Sequence, residues 1–281
     1  AALLAHHWEE AGDVPAAVRW HRRAAEWFGL NDTRAATQHW LRMRELAGRQ
    51  GATPWADEMM VLGCSGALLL GGYRVEDATL DWSRIFADGC SAAERLGDLA
   101  SLARMQSTYA RAIGMTGRIG FHVVENHARD AVATADRLDD AALRCGTRTT
   151  LCHANMFLGH LEEAAHTAEE TIDIAGDDIE SGVEVVGYSP LIWALMFREI
   201  HRGYTADPLA ALAEMPRLRR LAIENGYPEM ILWSAPHEAK FLRALHRDHD
   251  LRVLAGAVAD VLKTPGGQAD TNRVFASEVL F

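Results

Sequence analysis

Histidine is the first residue type here that could do chemistry, since the 281-residue chain carries thirteen. A helix offers a metal two ligands on one face when they stand three or four residues apart. His246 and His249 have that spacing, with Asp248 and Asp250 beside them in the string HRDHD. The pair straddles an expected turn, so it reads as a solvated polar corner in preference to a metal site. His122 and His127 are five apart and diverge on a helix, while His153, His160 and His166 spread over a helix, a turn and the next helix. Core or surface use explains them better than convergence does. The carboxylate pairs Glu9–Glu10, Glu162–Glu163 and Glu169–Glu170 would need surroundings that push their pKa values apart to work as acid and base. They fall instead on polar helix faces or in first turns, where negative charge favours a helix N-terminus. No G-x-x-x-x-G-K-[ST] string is present to cradle a phosphate. Gly63-Cys64-Ser65-Gly66 does not complete the G-x-S-x-G nucleophile elbow. We therefore assign no catalytic, metal or cofactor residue.

The bulk composition narrows the classes further. The formal net charge is -11, with 49% hydrophobic and 24% charged residues. So acidic a surface repels phosphate backbones, which excludes direct nucleic-acid binding, and it would sooner tolerate a basic peptide. No apolar run reaches the ~18–20 residues of a membrane span, and the chain opens on nothing like a signal peptide. Cys64, Cys90, Cys145 and Cys152 form no C-x-x-C pair. They read as small core residues of a cytoplasmic protein.

The elements that must position any site are helices. Alternating Val/Ile/Thr runs and hairpin turns are lacking, and apolar residues recur at helical spacing between punctuating glycines. The spacing predicts helices over 2–11, 15–28 and 33–47, then the pairs 54–70 with 75–96, 98–115 with 118–137, 139–157 with 161–175, 187–202 with 207–225, and 228–246 with 249–263. The first of these helices starts uncapped and a further one opens at 272–281, so the chain reads as a piece cut at both ends. Three segments are expected: an N-terminal three-helix part (1–47), the helix pairs (48–263), and a loop with the start of another repeat (264–281).

Turns inside the pairs are expected at Gly72, Gly117, Gly159, Gly203 and Asp248, a period of 42–45 residues. One helix pair per period of this length specifies an all-α, right-handed α-solenoid. A single pair cannot bury its apolar face, so stacked neighbours must form the core.

The string Leu158-Gly159-His160-Leu161-Glu162-Glu163-Ala164 resembles the turn of a tetratricopeptide repeat, with glycine, a bulky apolar residue and alanine at the family's spacing. Ala11-Gly12-Asp13-Val14-Pro15-Ala16-Ala17 resembles the same turn, and Trp8 stands where the family carries an aromatic late in its first helix. Gly72 to Ala78 and Gly117-Arg118-Ile119 are degenerate copies, and the units are longer than the family's usual length. Whole phrases, LLAHHWEEAGDVPAAVRWHRRAAE, ADGCSAAERLGDLASLARMQSTYARAIGMTGR and GYSPLIWALMFREIHRGY, resemble the C-terminal repeat region of bacterial proteins that carry a class III adenylate or guanylate cyclase and an AAA/STAND-type ATPase. LuxR-type regulators with a similar ATPase have a comparable region. The resemblance implies a non-catalytic regulatory segment whose partner is a protein, a peptide or a neighbouring domain of the same chain. The alternative it implies is the effector-binding arm of a transcriptional regulator.

In such a solenoid the first helix of each pair lines a concave groove. Of the eight tryptophans, Trp193 and Trp233 sit on first helices. Either they fill gaps between stacked helices, or they face the groove and anchor a peptide. Ser107, Arg111, Thr149 and His153 are polar neighbours expected on the same side. In the peptide-clamping members of the family these places hold lysines and asparagines, so a captured peptide C-terminus is not supported.

Overall fold

The computed structural model describes residues 1–29, 31–71, 80–115, 119–264, 267 and 270–280. All of its regular structure is helical, as the periodicity requires. Among the described residues no helix is long and apolar enough to cross a membrane. The chain divides into two compact units, Ala1–Asp139 and Asp140–Phe281.

The first unit contains α1 (Ala2–Glu10), α2 (Val14–Phe28), α3 (Thr33–Gly48), α4 (Pro54–Gly71), α5 (Trp82–Leu96), α6 (Leu99–Met115) and α7 (Phe121–Leu138). Each helix packs on the next, and α4 also packs on α6, two elements along. The second unit contains α8 (Ala141–Leu158), α9 (Leu161–Ala175), the single turn α10 (Val183–Val186), α11 (Pro190–Thr205), α12 (Pro208–Glu224), α13 (Met230–Ala244), α14 (Asp248–Val261) and α15 (Asp270–Leu280). Here α11 packs on α13 and α13 on α15, while α12 and α14 pair with their neighbours in sequence. First helices lying side by side, with second helices behind them, is the packing of a helical repeat array.

Local chemistry sets the helix starts. Asp13, Asp32, Asp81, Asp140 and Asp207 each accept a first-turn backbone N–H at the heads of α2, α3, α5, α8 and α12. These donors have no intrahelical partner, so a side-chain acceptor there stabilises the start. The elbow between α8 and α9 closes at Gly159, whose φ of +80° suits glycine. The N–H groups of Gly159 and His160 turn back to the carbonyls of Met156 and Asn155, which ends α8. Ala164 and Ala168 are buried on α9. The apolar cluster of the last repeats joins Ile231, Leu232 and Ala235 of α13, Leu254 and Val258 of α14, and Ala276 and Val279 of α15.

Several sequence expectations need correction or extension. Gly203 does not make a turn: α11 runs past it to Thr205. A methyl group at Gly203 would overlap the Phe241 ring of α13, so this glycine serves the close approach of two first helices. Gly203→Ala is expected to destabilise the second unit by about 1–3 kcal/mol, because a packed ring must be displaced. A denaturant midpoint unchanged from the parent would refute that. The turn expected at Asp248 comes just before it, where His246 adopts a left-handed φ of 54°. Gly72 and Gly117 lie outside the described residues.

The starts of α4, α6 and α8, at Pro54, Leu99 and Ala141, keep the expected period of 42–45, and the second unit departs from it. α11, α13 and α15 start at Pro190, Met230 and Asp270, forty residues apart, whereas α8 and α11 start forty-nine apart because α10 and its flanking turns are inserted. α3 packs on α4, so residues 1–47 continue into the following pair, and α15 packs on α13 and α14.

Candidate functional site

The forty-residue register of the second unit places side chains opposite one another along its first helices. His153 of α8 stacks on Trp193 of α11, with ring centroids 4.6 Å apart and planes inclined by 17°. Trp193 meets Trp233 of α13 edge to face at 6.0 Å. The Trp233 indole N–H donates to Oδ1 of Asn272 on α15 at 2.6 Å. Tyr188, just ahead of α11, caps the row: its ring lies 4.6 Å from Trp233 and 6.3 Å from His153, edge to face in both cases. Edge-to-face and offset contacts of this kind are favoured by the ring quadrupoles.

Hydrogen bonds orient the row. Nδ1 of His153 donates to the Thr149 carbonyl at 3.0 Å, one turn back on α8, and the Tyr188 hydroxyl lies 3.4 Å from the same nitrogen. Since a carbonyl only accepts, His153 carries its proton on Nδ1. Trp193 differs from Trp233: it is 1% exposed, and its indole Nε1 has no hydrogen-bond partner. A buried N–H left unmade costs about 1–3 kcal/mol. Trp233 and His153 are half-buried.

The six sequence candidates therefore separate. Thr149, His153, Trp193 and Trp233 meet in the second unit, but Thr149 and Trp193 are buried. Trp193 is thus a core ring, with His153 of α8 stacked on it and Trp233 of α13 in edge-to-face contact with it. Ser107 and Arg111 belong to the first unit. Ser107 is fully buried on α6, and Nη2 of Arg111 donates to the Leu69 carbonyl of α4 at 2.7 Å. Tyr188 and Asn272 were missed. Asn272 stands 39 residues after Trp233, so the spacing from His153 to Trp193 to Trp233 was its one available signal.

The other face of α13 holds a buried charge. Glu238 is 2% exposed; its carboxylate meets the Arg219 guanidinium of α12 and, at 3.2 Å, the Ser234 hydroxyl. Burial pushes this carboxyl above the usual carboxylate range, against the opposing pull of Arg219 and Ser234. His237, one residue earlier, is driven down to about 4 by burial and by the nearby Lys240, with its Nδ1 3.0 Å from the Tyr204 hydroxyl.

His246 and His249 are both exposed at the α13–α14 turn, as a solvated corner would be. Among the described residues no group of three or more His, Cys, Asp or Glu is placed to hold a metal. Cys64, Cys145 and Cys152 are buried thiols and Cys90 is half-buried. Burial pushes Cys64 up to about 12 and Cys90 up to about 11, away from thiolate chemistry. Of the ring row, only the His153 imidazole and the Trp233 ring are partly open to solvent. No protein-family model matches the chain, and no curated protein matches it.

Proposed function

We infer that this chain is a non-catalytic, partner-binding repeat segment of a bacterial multidomain signalling protein, of the kind that joins an ATPase to an adenylate or guanylate cyclase. The observation that carries the reading is the pair of half-buried rings His153 and Trp233, held on side-by-side first helices by the core ring Trp193 between them. Aromatic side chains with a polar handle are what helical-repeat surfaces use to hold peptides. The elbow at Gly159 and the buried Ala164 and Ala168 support the tetratricopeptide likeness on which the signalling context rests. The partner is a peptide segment of another protein or of a neighbouring domain, and its contact points are the half-buried rings His153 and Trp233 on either side of Trp193.

The reading frame that encodes the chain provides the test. A cyclase domain and a phosphate-binding loop on the same polypeptide support the proposal, and a helix-turn-helix domain would move it to the transcriptional class. Helical repeats alone would remove the signalling reading. In the first case His153→Ala is expected to change cyclic-nucleotide output by about tenfold, the size of one binding hot spot, while the purified segment stays folded. Unaltered output from a folded variant would reject the row as the contact point.

A further inference from the structure

The N-terminal helices carry a polar chain that the proposed function does not use. Oε1 of Glu9 on α1 lies 2.6 Å from Nε2 of His21 on α2. Nδ1 of His21 lies 2.8 Å from Nδ1 of His39 on α3. Arg42, one turn along α3, pairs with the other oxygen of Glu9 and with Glu45. Phe28 stacks on the outer face of the His39 ring, centroids 5.6 Å apart. Three helices are thus joined through two imidazoles, and His21 is buried.

The proton count follows from the geometry. Glu9 is held ionised, chiefly by its hydrogen bond from Arg42. An ionised carboxylate only accepts, so the hydrogen between Glu9 and His21 sits on Nε2 of His21. Two ring nitrogens 2.8 Å apart need one hydrogen between them. When both rings are neutral, His21 has already placed its only hydrogen on Nε2, so the bridging one belongs to Nδ1 of His39. A first added proton enters at Nε2 of His39, outside the contact, and the bridge survives. A second would have to enter between the two Nδ1 atoms. Two N–H bonds would then point at each other between two cations, and the contact must break.

We propose that His21 and His39 form a one-proton latch between α2 and α3, with Glu9 setting opposite tautomers in the two rings. The latch is closed while the pair carries at most one positive charge and opens when it carries two. The surrounding charges agree with this. Burial is the largest influence holding both rings below their ordinary 6.5; for His21 Arg42 adds to it and Glu9 opposes it, and for His39 His21 adds to it and Glu9 opposes it. Folded rings therefore bind protons less readily than unfolded ones. The first unit keeps its full stability above about pH 6.5 and loses it as the pH falls below that value.

Imidazole nitrogen–proton correlation spectra at about pH 7.5, where both rings are neutral, should show Nε2–H for His21 and the less common Nδ1–H for His39. Amide exchange over residues 14–48 should show protection falling by about tenfold or more between about pH 7.5 and 4.5, after correction for chemical exchange. In His39→Asn, whose amide can donate to His21 without titrating, the fall should be about threefold or less. An Nε2–H on His39 at neutral pH overturns the latch, as do equal losses in parent and variant. If the variant does not fold, the tautomers of the parent decide alone.

Discussion

Trp193→Ala is expected to destabilise the second unit by about 3–5 kcal/mol, the range for emptying a buried aromatic site. Two further effects act in opposite directions. Loss of the stacked contact with His153 adds about 0.5–1.5 kcal/mol. Removal of an indole N–H that has no partner returns about 1–3 kcal/mol. The cavity and the lost contact together exceed that return, which places the net effect toward the low end of the range, at about 3 kcal/mol. Trp193→Phe separates the contributions: it keeps most of the ring and deletes the N–H, so it should cost less than about 1.5 kcal/mol. Urea midpoints of the two variants measure both. A Trp193→Ala chain as stable as its parent would mean that the ring is a surface anchor after all.

Arg219→Ala should cost a similar 3–5 kcal/mol near neutral pH, because it leaves the buried carboxylate of Glu238 without its counter-charge. The pair differs from the exposed ion pairs elsewhere in the chain, such as Arg22–Glu26, where both side chains are about half exposed and the median worth is ~0–1 kcal/mol. The loss should depend on pH, with a definite sign. Glu238 already has a folded pKa above its unfolded one, and removing Arg219 raises it further. The folded state then holds a proton that the unfolded state releases, so stability falls as pH rises from the ordinary carboxylate value of 4.5 through the folded pKa. The variant should be least impaired in mild acid. Replacing both partners together, as Arg219→Met with Glu238→Leu, should recover most of the loss, since a well-packed apolar pair of similar volume is often neutral or better. Denaturation of the single and double variants at two pH values tests the sign and the recovery.

The helices were legible because their signals are local. Apolar residues at helical spacing, broken by glycines, mark where each helix runs from its own residues alone. Gly159 closes an elbow that its own neighbours spell out. Gly203 has an identical side chain and the opposite meaning. What decides it is Phe241, thirty-eight residues later on another helix, and no local pattern carries that information. The same limit governed the candidate site. Helix phase selected His153, Trp193 and Trp233 as one face. Whether each ring is covered depends on what lies on both sides of it, and Trp193, between α8 and α13, is sealed while Trp233 is not. Asn272 and Tyr188 had no residue-type signal to match the tryptophans.

The forty-residue register has a consequence for how such a chain can change its length. His153, Trp193 and Trp233 each touch the next member of the row, which ends at Asn272. Excising residues 190–229 would bring His153 into step with Trp233, with helix phase and ring spacing intact. Growth and loss in this row of the second unit are therefore quantised: whole blocks of forty keep its rings in step. Within that row another increment is accommodated between helices, as α10 and its flanking turns are between α9 and α11. A genome that edits this segment has a coarse ruler, with one graduation per helix pair.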